Sequence, residues 1–574
     1  AITLSGMANN GTTTLTTSGT GGAITTTLAS TSGTSDVHNL KITGSAAVTG
    51  RTNTIAGVET INIEVLDSDT TTSDAVHTLT LAATGATSVV VTGDAGLNLT
   101  NTGNTALLSF DASAVTAAAS NVTFASAVTS TTASVTIKGG AGADTLTGGA
   151  SIDNIDGGAG NDTLNSGAGV DTLTGGAGND TFEFASANLV STDTISGGAG
   201  TDDVEITDAA TVVDADFTNA TSIETITLAN ATNSVVLGTI ADTAGVRTVT
   251  GGTGADTITP GAGFTANLTI TGGAGNDVID ASAYAAGNTL TVTGGAGTET
   301  YTLGAGNESI TAGGAVDTFN VGTASHLAST DTIIGGTGTD VLNISAAMTV
   351  TDAMLTGVAT TETITAGNVA VTLTLGAQAV EAGIATITMG NAVNTIDIGS
   401  MTSAVAITGG TGVDTITGGS GNDTIIGGNG NDIYKFAATG ALNGTDVFAA
   451  NIVNGDKLDF TAFHSSLTLQ TGVVLEAATG DIDITNKIGL LDNAGGAETI
   501  TSVAAIFEGA GDAFHLASGG KAVLISADSG TAVALSQIMY IDDSLGAVQG
   551  TISADDVVIV ATHTTDLAAF TAGD

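Results

Sequence analysis

A chain of 574 residues with 82 Gly, one Pro and no Cys is too long for one compact globule, and it excludes disulfide staples and thiol chemistry. Its 8 Lys plus Arg against 56 Asp plus Glu give a formal net charge of −48, which excludes nucleic acid as a partner and predicts an expanded, self-repelling metal-free state. Apolar residues make up 41% but aromatics only 3%, a mixture of small aliphatics suited to a narrow stack of short strands, and no run approaches the ~18 apolar residues of a membrane-spanning helix.

Residues 1–130 read as a Thr/Ala-rich β region, solenoid or sandwich-like, and poor in Gly/Asp-rich turns. No basic segment followed by an apolar one opens the chain, so these residues do not read as a secretory signal. Asp67, Asp69 and Asp74 read as a solvated acidic loop in preference to an extra metal loop.

Over 139–183 five nine-residue units follow head to tail: GGAGADTLT, GGASIDNID, GGAGNDTLN, SGAGVDTLT and GGAGNDTFE. All follow G-G-x-G-x-D-x-U-x closely, with U apolar. Six positions make a turn in which glycine reaches positive φ. Three make a short strand whose apolar side chain (Leu146, Ile155, Leu164, Leu173 or Phe182) points inward. Two units close a coil of eighteen residues, so residues eighteen apart stack one strand spacing, ~4.8 Å, from each other. Asp144, Asp162 and Asp180 then form one column, and Asp153 and Asp171 a second on the opposite edge.

Carboxylates stacked at that distance repel by ~3 kcal/mol per pair at an effective dielectric near ~20. A buried Leu returns only ~1.5–3 kcal/mol. A hard cation that takes about six to eight oxygens, carbonyls included, reverses the balance, and calcium suits such a site better than magnesium, which demands a tight octahedron.

Downstream the units thin out. Single copies stand at 197–205 (Asp202), 251–259 (Asp256), 272–280 (Asp277) and 335–343 (Asp340). A degenerate trio at 294–320 carries Glu299 and Glu308 in place of Asp and ends in Asp317. A second array, GGTGVDTIT, GGSGNDTII and GGNGNDIYK at 409–435, places Asp414 and Asp432 in one column with Asp423 opposite. Because Asp202 stands alone whereas Asp162 has a partner on either side, losing Asp162 is expected to do more harm.

A longer repeat underlies these units. Residues 193–228 align without a gap with 331–366, within copies covering about 175–300 and about 313–430, and Asn394 falls where the first copy has Asp256. A fainter copy lies upstream, where GVETINI at 57–63 echoes SIETITL at 222–228. The pattern predicts an all-β, right-handed parallel β-helix or β-solenoid. Its calcium-binding region is 131–435, and 436–574 is a β-rich C-terminal cap over the open end of the stack.

Catalytic signatures are missing. The six histidines form no H-E-x-x-H, no G-x-S-x-G elbow occurs, and GGSGND at 418–423 is a calcium repeat. A polysaccharide-cleaving site would need basic or aromatic residues to hold sugar, and both are scarce, so the chain is expected not to be an enzyme.

The nonapeptides, GDKLDF at 455–460 and the ending YIDDSLGAVQGTISADDVVIVATHTTDLAAF resemble RTX proteins exported by type I secretion. Residues 33–115, with GTSDVHNL, GVETINIEVLDSDTTT and TSVVVTGDAGLNLTNTGNTALLSFDASAV, are similar to a region of the Caulobacter-type RTX surface-layer proteins. The resemblance implies an RTX β-roll in which the aspartates bind several Ca2+ ions together with turn carbonyls. These would be the carbonyls of Gly140, Gly142, Gly158, Gly160, Gly176 and Gly178 in the first array, and of Gly410, Gly412, Gly428 and Gly430 in the second. Ser151, in place of a turn glycine, then predicts a weaker site at Asp153.

It further implies a secretion signal within 436–574, export by the type I machinery, and folding in extracellular calcium. The product would be a homo-oligomeric, two-dimensional S-layer lattice on the cell surface, with lipopolysaccharide as a partner through a segment not recognisable in this sequence. The alternative is a type I secreted RTX adhesin or biofilm matrix protein.

Overall fold

The computed structural model describes residues 2–437 apart from 17–23, 29–32, 45 and 69–74, then 443–448, and beyond these the strands at 457–459, 468–474, 482–483, 487–492, 514–515, 521–527, 536–542 and 557–563. It forms two units, Ala1–Gly295 and Ala296–Asp574. The two long repeat copies, the acidic turns and the short strands all lie within parallel β-solenoid.

In the first unit every strand pairing among the described residues is parallel. Val37–Gly44 pairs in unbroken register with Thr60–Asp67, which pairs with Ser88–Gly93. The described part of residues 1–130 is therefore solenoid and not sandwich. Side chains alternate inward and outward along the strands, as the two-residue pleat requires, so Thr60–Asp67 sends Ile61, Ile63 and Val65 into the core and the shorter Thr145–Gly149 sends Leu146.

Parallel register turns these residues into continuous rows. Leu146, Leu164, Phe182, Val204, Ile226, Val249, Ile270 and Val292 stack one above another, and Ile137, Ile155, Leu173 and Ile195 form a facing row. All twelve are buried. Phe110 and Phe124 lie face to face in the same core, with ring centroids 3.9 Å apart.

Glycine is required where consecutive turns meet. Gly158 (φ 108°) and Gly160 (φ 118°) sit in the left-handed region, and a Cβ on either would overlap the carbonyl oxygen of Gly140 or Gly142 in the coil before.

Two six-residue helices, Thr239–Ala244 and Ala377–Ala382, interrupt the β pattern at equivalent points of the two long copies. Sequence periodicity gives no sign of them, because six residues are too short to show a helical stripe. Each is nucleated by an aspartate one coil earlier: Gly238 and Ala241 donate their main-chain N–H to Asp214 Oδ1 at 2.8 Å, and Gly376 and Ala379 donate theirs to Asp352 Oδ1 at 2.7 and 3.0 Å.

In the second unit the main chain near the C-terminus changes pairing. Lys487–Asp492 runs parallel to Lys521–Ala527, which pairs antiparallel with Ser536–Asp542; that strand pairs antiparallel with Val557–His563. Val557–His563 in turn runs parallel to Asp446–Phe448. Most of 436–574, and the residues after 563 that end the expected secretion signal, lie outside the described residues, as do Asp69 and Asp74. Among the described residues no helix is long and apolar enough to cross a membrane.

Candidate metal centre

The aspartate where each turn meets its short strand needs a partner for its main-chain N–H, and a carboxylate of the next coil supplies it. Asp144 donates its N–H to Asp162 Oδ1 at 2.7 Å, Asp162 to Asp180 at 2.8 Å, Asp180 to Asp202 at 2.8 Å, and Asp202 to Glu224 Oε2 at 2.9 Å. On the other edge Asp153 donates to Asp171 and Asp171 to Asp193, both at 2.9 Å. Each column is thus a chain of charge-assisted hydrogen bonds running parallel to the solenoid axis.

The remaining site residues fall into similar columns. Asn233 donates to Asp256 and Asp256 to Asp277 in the first unit. In the second, Glu299 donates to Asp317, Asp317 to Asp340 and Asp340 to Glu362, while Glu308 donates to Asp331. Asn394 leads to Asp414 and Asp432, and Val405 to Asp423 and Asp446.

The isolation expected of the four single copies is corrected here: Asp256 and Asp277 bond to each other across a link of 21 residues. Asp202 and Asp340 do not stand alone: they continue columns across links of 22 and 23 residues, where the arrays use 18. The longer links carry extra loops that hide the period. Asp193, Asp331 and Asp446, with Glu224 and Glu362, were missed for the same reason. The signal available for the three aspartates is the D-x-U triplet that survives without its glycine turn, as in Asp193-Thr-Ile and Asp331-Thr-Ile.

One carboxylate oxygen of each inner aspartate serves the ladder, and the other is left over. Oδ2 of Asp162, Asp171, Asp180, Asp202, Asp277, Asp317, Asp340 and Asp414 is buried without a hydrogen-bond partner. Four other aspartates differ: Asp144, Asp153, Asp256 and Asp423 turn Oδ2 back onto the N–H of the glycine four residues earlier. Ser151 Oγ also donates to Asp153 Oδ1 at 2.7 Å, so both oxygens of that carboxylate are engaged.

The turn glycines divide in the same way. Gly158 with Gly160, Gly176 with Gly178, and Gly428 with Gly430 have positive φ, and Gly198 with Gly200, Gly273 with Gly275, and Gly336 with Gly338 share that geometry. Gly410 has positive φ, whereas Gly140, Gly142 and Gly412 do not, so the expected equivalence of all ten glycines does not extend to backbone conformation. A Cβ on Gly176 or Gly198 would overlap the carbonyl oxygen of Gly158 or Gly176 one coil below, and one on Gly178 or Gly200 that of Gly160 or Gly178. The turn carbonyls therefore form two rows along the same edge.

Burial without basic partners raises the carboxyl pKa values. Loss of solvent pushes Asp144, Asp153 and Asp414 up to about 6 and Asp162 to about 7, against which the main-chain or side-chain donors act, and Asp446 rises to about 8. Glu308 is pushed to about 8 by burial and by the neighbouring Asp331. Among the described residues no three His, Cys, Asp or Glu side chains converge on one point. A cation here would draw much of its coordination from main-chain carbonyls. Unpartnered Oδ2 atoms, rows of carbonyls and an all-oxygen donor set fit calcium.

The family model of the RTX calcium-binding nonapeptide repeat matches residues 136–164, 147–182, 191–205, 240–264, 269–283, 328–343 and 407–434. The chain carries RTX calcium-binding repeats. The RTX matches contain every aspartate of the two arrays, together with Asp193, Asp202, Asp256, Asp277, Asp331 and Asp340; Glu299, Glu308 and Asp317 lie between them. No curated protein matches the chain.

Proposed function

We propose that this is a secreted structural protein that calcium folds outside the cell and that then assembles with copies of itself into a surface lattice, without catalytic activity. The observation that carries the reading is the set of buried Oδ2 atoms facing no partner in columns of like charge. Such columns disfavour the folded chain where calcium is scarce and favour it where calcium is abundant, since a ligand that binds only the folded state stabilises it by mass action. A chain that stays unfolded in the cytosol can pass through a narrow type I export channel.

The step from secreted RTX protein to lattice rests on the likeness of 33–115 to Caulobacter-type surface-layer proteins and on the scarcity of sugar-holding basic and aromatic residues. Negative-stain electron microscopy of the purified chain during a calcium titration, with circular dichroism on the same samples, tests it. Ordered sheets appearing with β-structure support the lattice. β-structure with dispersed single particles at millimolar calcium overturns it in favour of an adhesin or matrix protein.

A further inference from the structure

We infer that Asp36 and Glu59 form a further calcium-type site, upstream of every recognised repeat. Asp36 is 6% exposed, and its Oδ2 is buried with no hydrogen-bond partner. Its main-chain N–H donates to Glu59 Oε2 at 2.9 Å. The same bond joins Asp202 to Glu224 and Asp340 to Glu362, the pairs that close two of the acidic columns. The main chain agrees: Glu59 and Thr60 both donate N–H to the Asp36 carbonyl, as Glu224 and Thr225 do to that of Asp202.

The lower side of the site also has its counterpart. Asn9 donates its side-chain amide to Asp36 Oδ1 at 2.7 Å, as Asn233 does to Asp256 and Asn394 to Asp414. A Cβ on Gly33 would come 2.8 and 3.0 Å from the two Asp36 carboxylate oxygens, so this carboxylate packs against a glycine as those of Asp162, Asp180 and Asp202 pack against Gly157, Gly175 and Gly197. Asp36 thus has the surroundings of a column aspartate without the G-G-x-G-x-D sequence, since Gly33-Thr-Ser-Asp36 is the only trace of the turn.

Two carboxylates lie together here, and among the described residues neither pairs with Lys or Arg. His38, two residues along at the position an apolar residue holds elsewhere, is buried. With no second imidazole and no thiolate converging there, the donor set is oxygen and suits calcium over zinc.

The inference rests on the reading that the columns take calcium, and counting bound ions separates the two. Calcium per chain is measured at fixed free calcium for the full chain, for Asp36→Asn and for Glu59→Gln, with circular dichroism as the check on folding. The expected result is one ion fewer in Asp36→Asn and at least tenfold weaker binding of one ion in Glu59→Gln, the rest of the isotherm being unchanged. An unchanged isotherm in Glu59→Gln, or an unchanged count in folded Asp36→Asn, overturns the site while leaving the columns intact. A native chain that binds no calcium overturns both.

Discussion

Asn233 donates its side-chain amide to the carboxylate of Asp256, Nδ2 to Oδ1 at 2.9 Å, and also to the carbonyl oxygens of Ala229 and Ala231 at 3.0 and 2.8 Å. Ala229 and Ala231 hold the second and fourth turn positions, the pair assigned to calcium in the arrays. An uncharged NH2 group thus reaches the oxygens that a cation would bridge. Asn394 repeats the arrangement with Ala392 at 2.8 Å and Asp414 at 3.1 Å.

From this, Asn233→Asp and Asn394→Asp should each raise the calcium bound per chain by one ion, and should weaken the metal-free fold, because a donor becomes a buried acceptor. Equilibrium dialysis against calcium reads the count. An unchanged stoichiometry in both variants contradicts the equivalence of amide and cation.

Asp162 and Asp202 should behave alike. Each accepts an N–H from the coil before and donates its own to the coil after. Replacement of either by Ala leaves a buried N–H unpaired, at about 1–3 kcal/mol, and removes one anionic oxygen from the column. The calcium midpoint of folding should rise by similar factors in the two variants. A shift confined to Asp162→Ala would restore the sequence-based view that Asp202 is isolated.

Two left-handed glycines separate backbone strain from crowding. Gly50 has φ 69° and nothing within 4 Å of a Cβ, whereas at Gly178, with φ 134°, a Cβ would overlap the Gly160 carbonyl. Gly50→Ala should cost about 1–2 kcal/mol and Gly178→Ala about 2–5 kcal/mol, since crowding adds to strain. Thermal melts in saturating calcium compare them, and equal melting temperatures would argue against the carbonyl rows.

Acid should fold the metal-free chain. Burial raises the carboxyl pKa of Asp162 to about 7 and those of Asp144, Asp153 and Asp414 to about 6, from an ordinary aspartate value of 3.8. A carboxyl with a raised folded-state pKa stabilises the fold fully below its unfolded pKa, and that contribution is lost as pH rises through the folded value. Without calcium, β-structure should therefore decline between about pH 5 and pH 8. Calcium binds the deprotonated form, so saturating calcium should abolish or reverse the decline. Circular dichroism across that range in chelator and in calcium checks both arms; a metal-free chain that gains structure toward pH 8 contradicts the assignment.

Within the arrays the sequence determined the coil, its core residues and the columns of Asp144, Asp153 and their successors. A strict nine-residue spacing converts directly into stacking when two units close one turn. Only the tertiary structure decided where the columns continue and how they end. The bonds from Asp180 to Asp202, Asp171 to Asp193 and Asp202 to Glu224 cross links of 22 residues, whose loops carry no period of their own. Which residue's N–H meets which carboxylate is fixed by parallel register between neighbouring coils, a long-range choice that local sequence does not encode. The same register sets an amide at Asn233 where a neighbouring coil holds a carboxylate, and brings Glu59 to Asp36 in a region with no recognisable calcium motif.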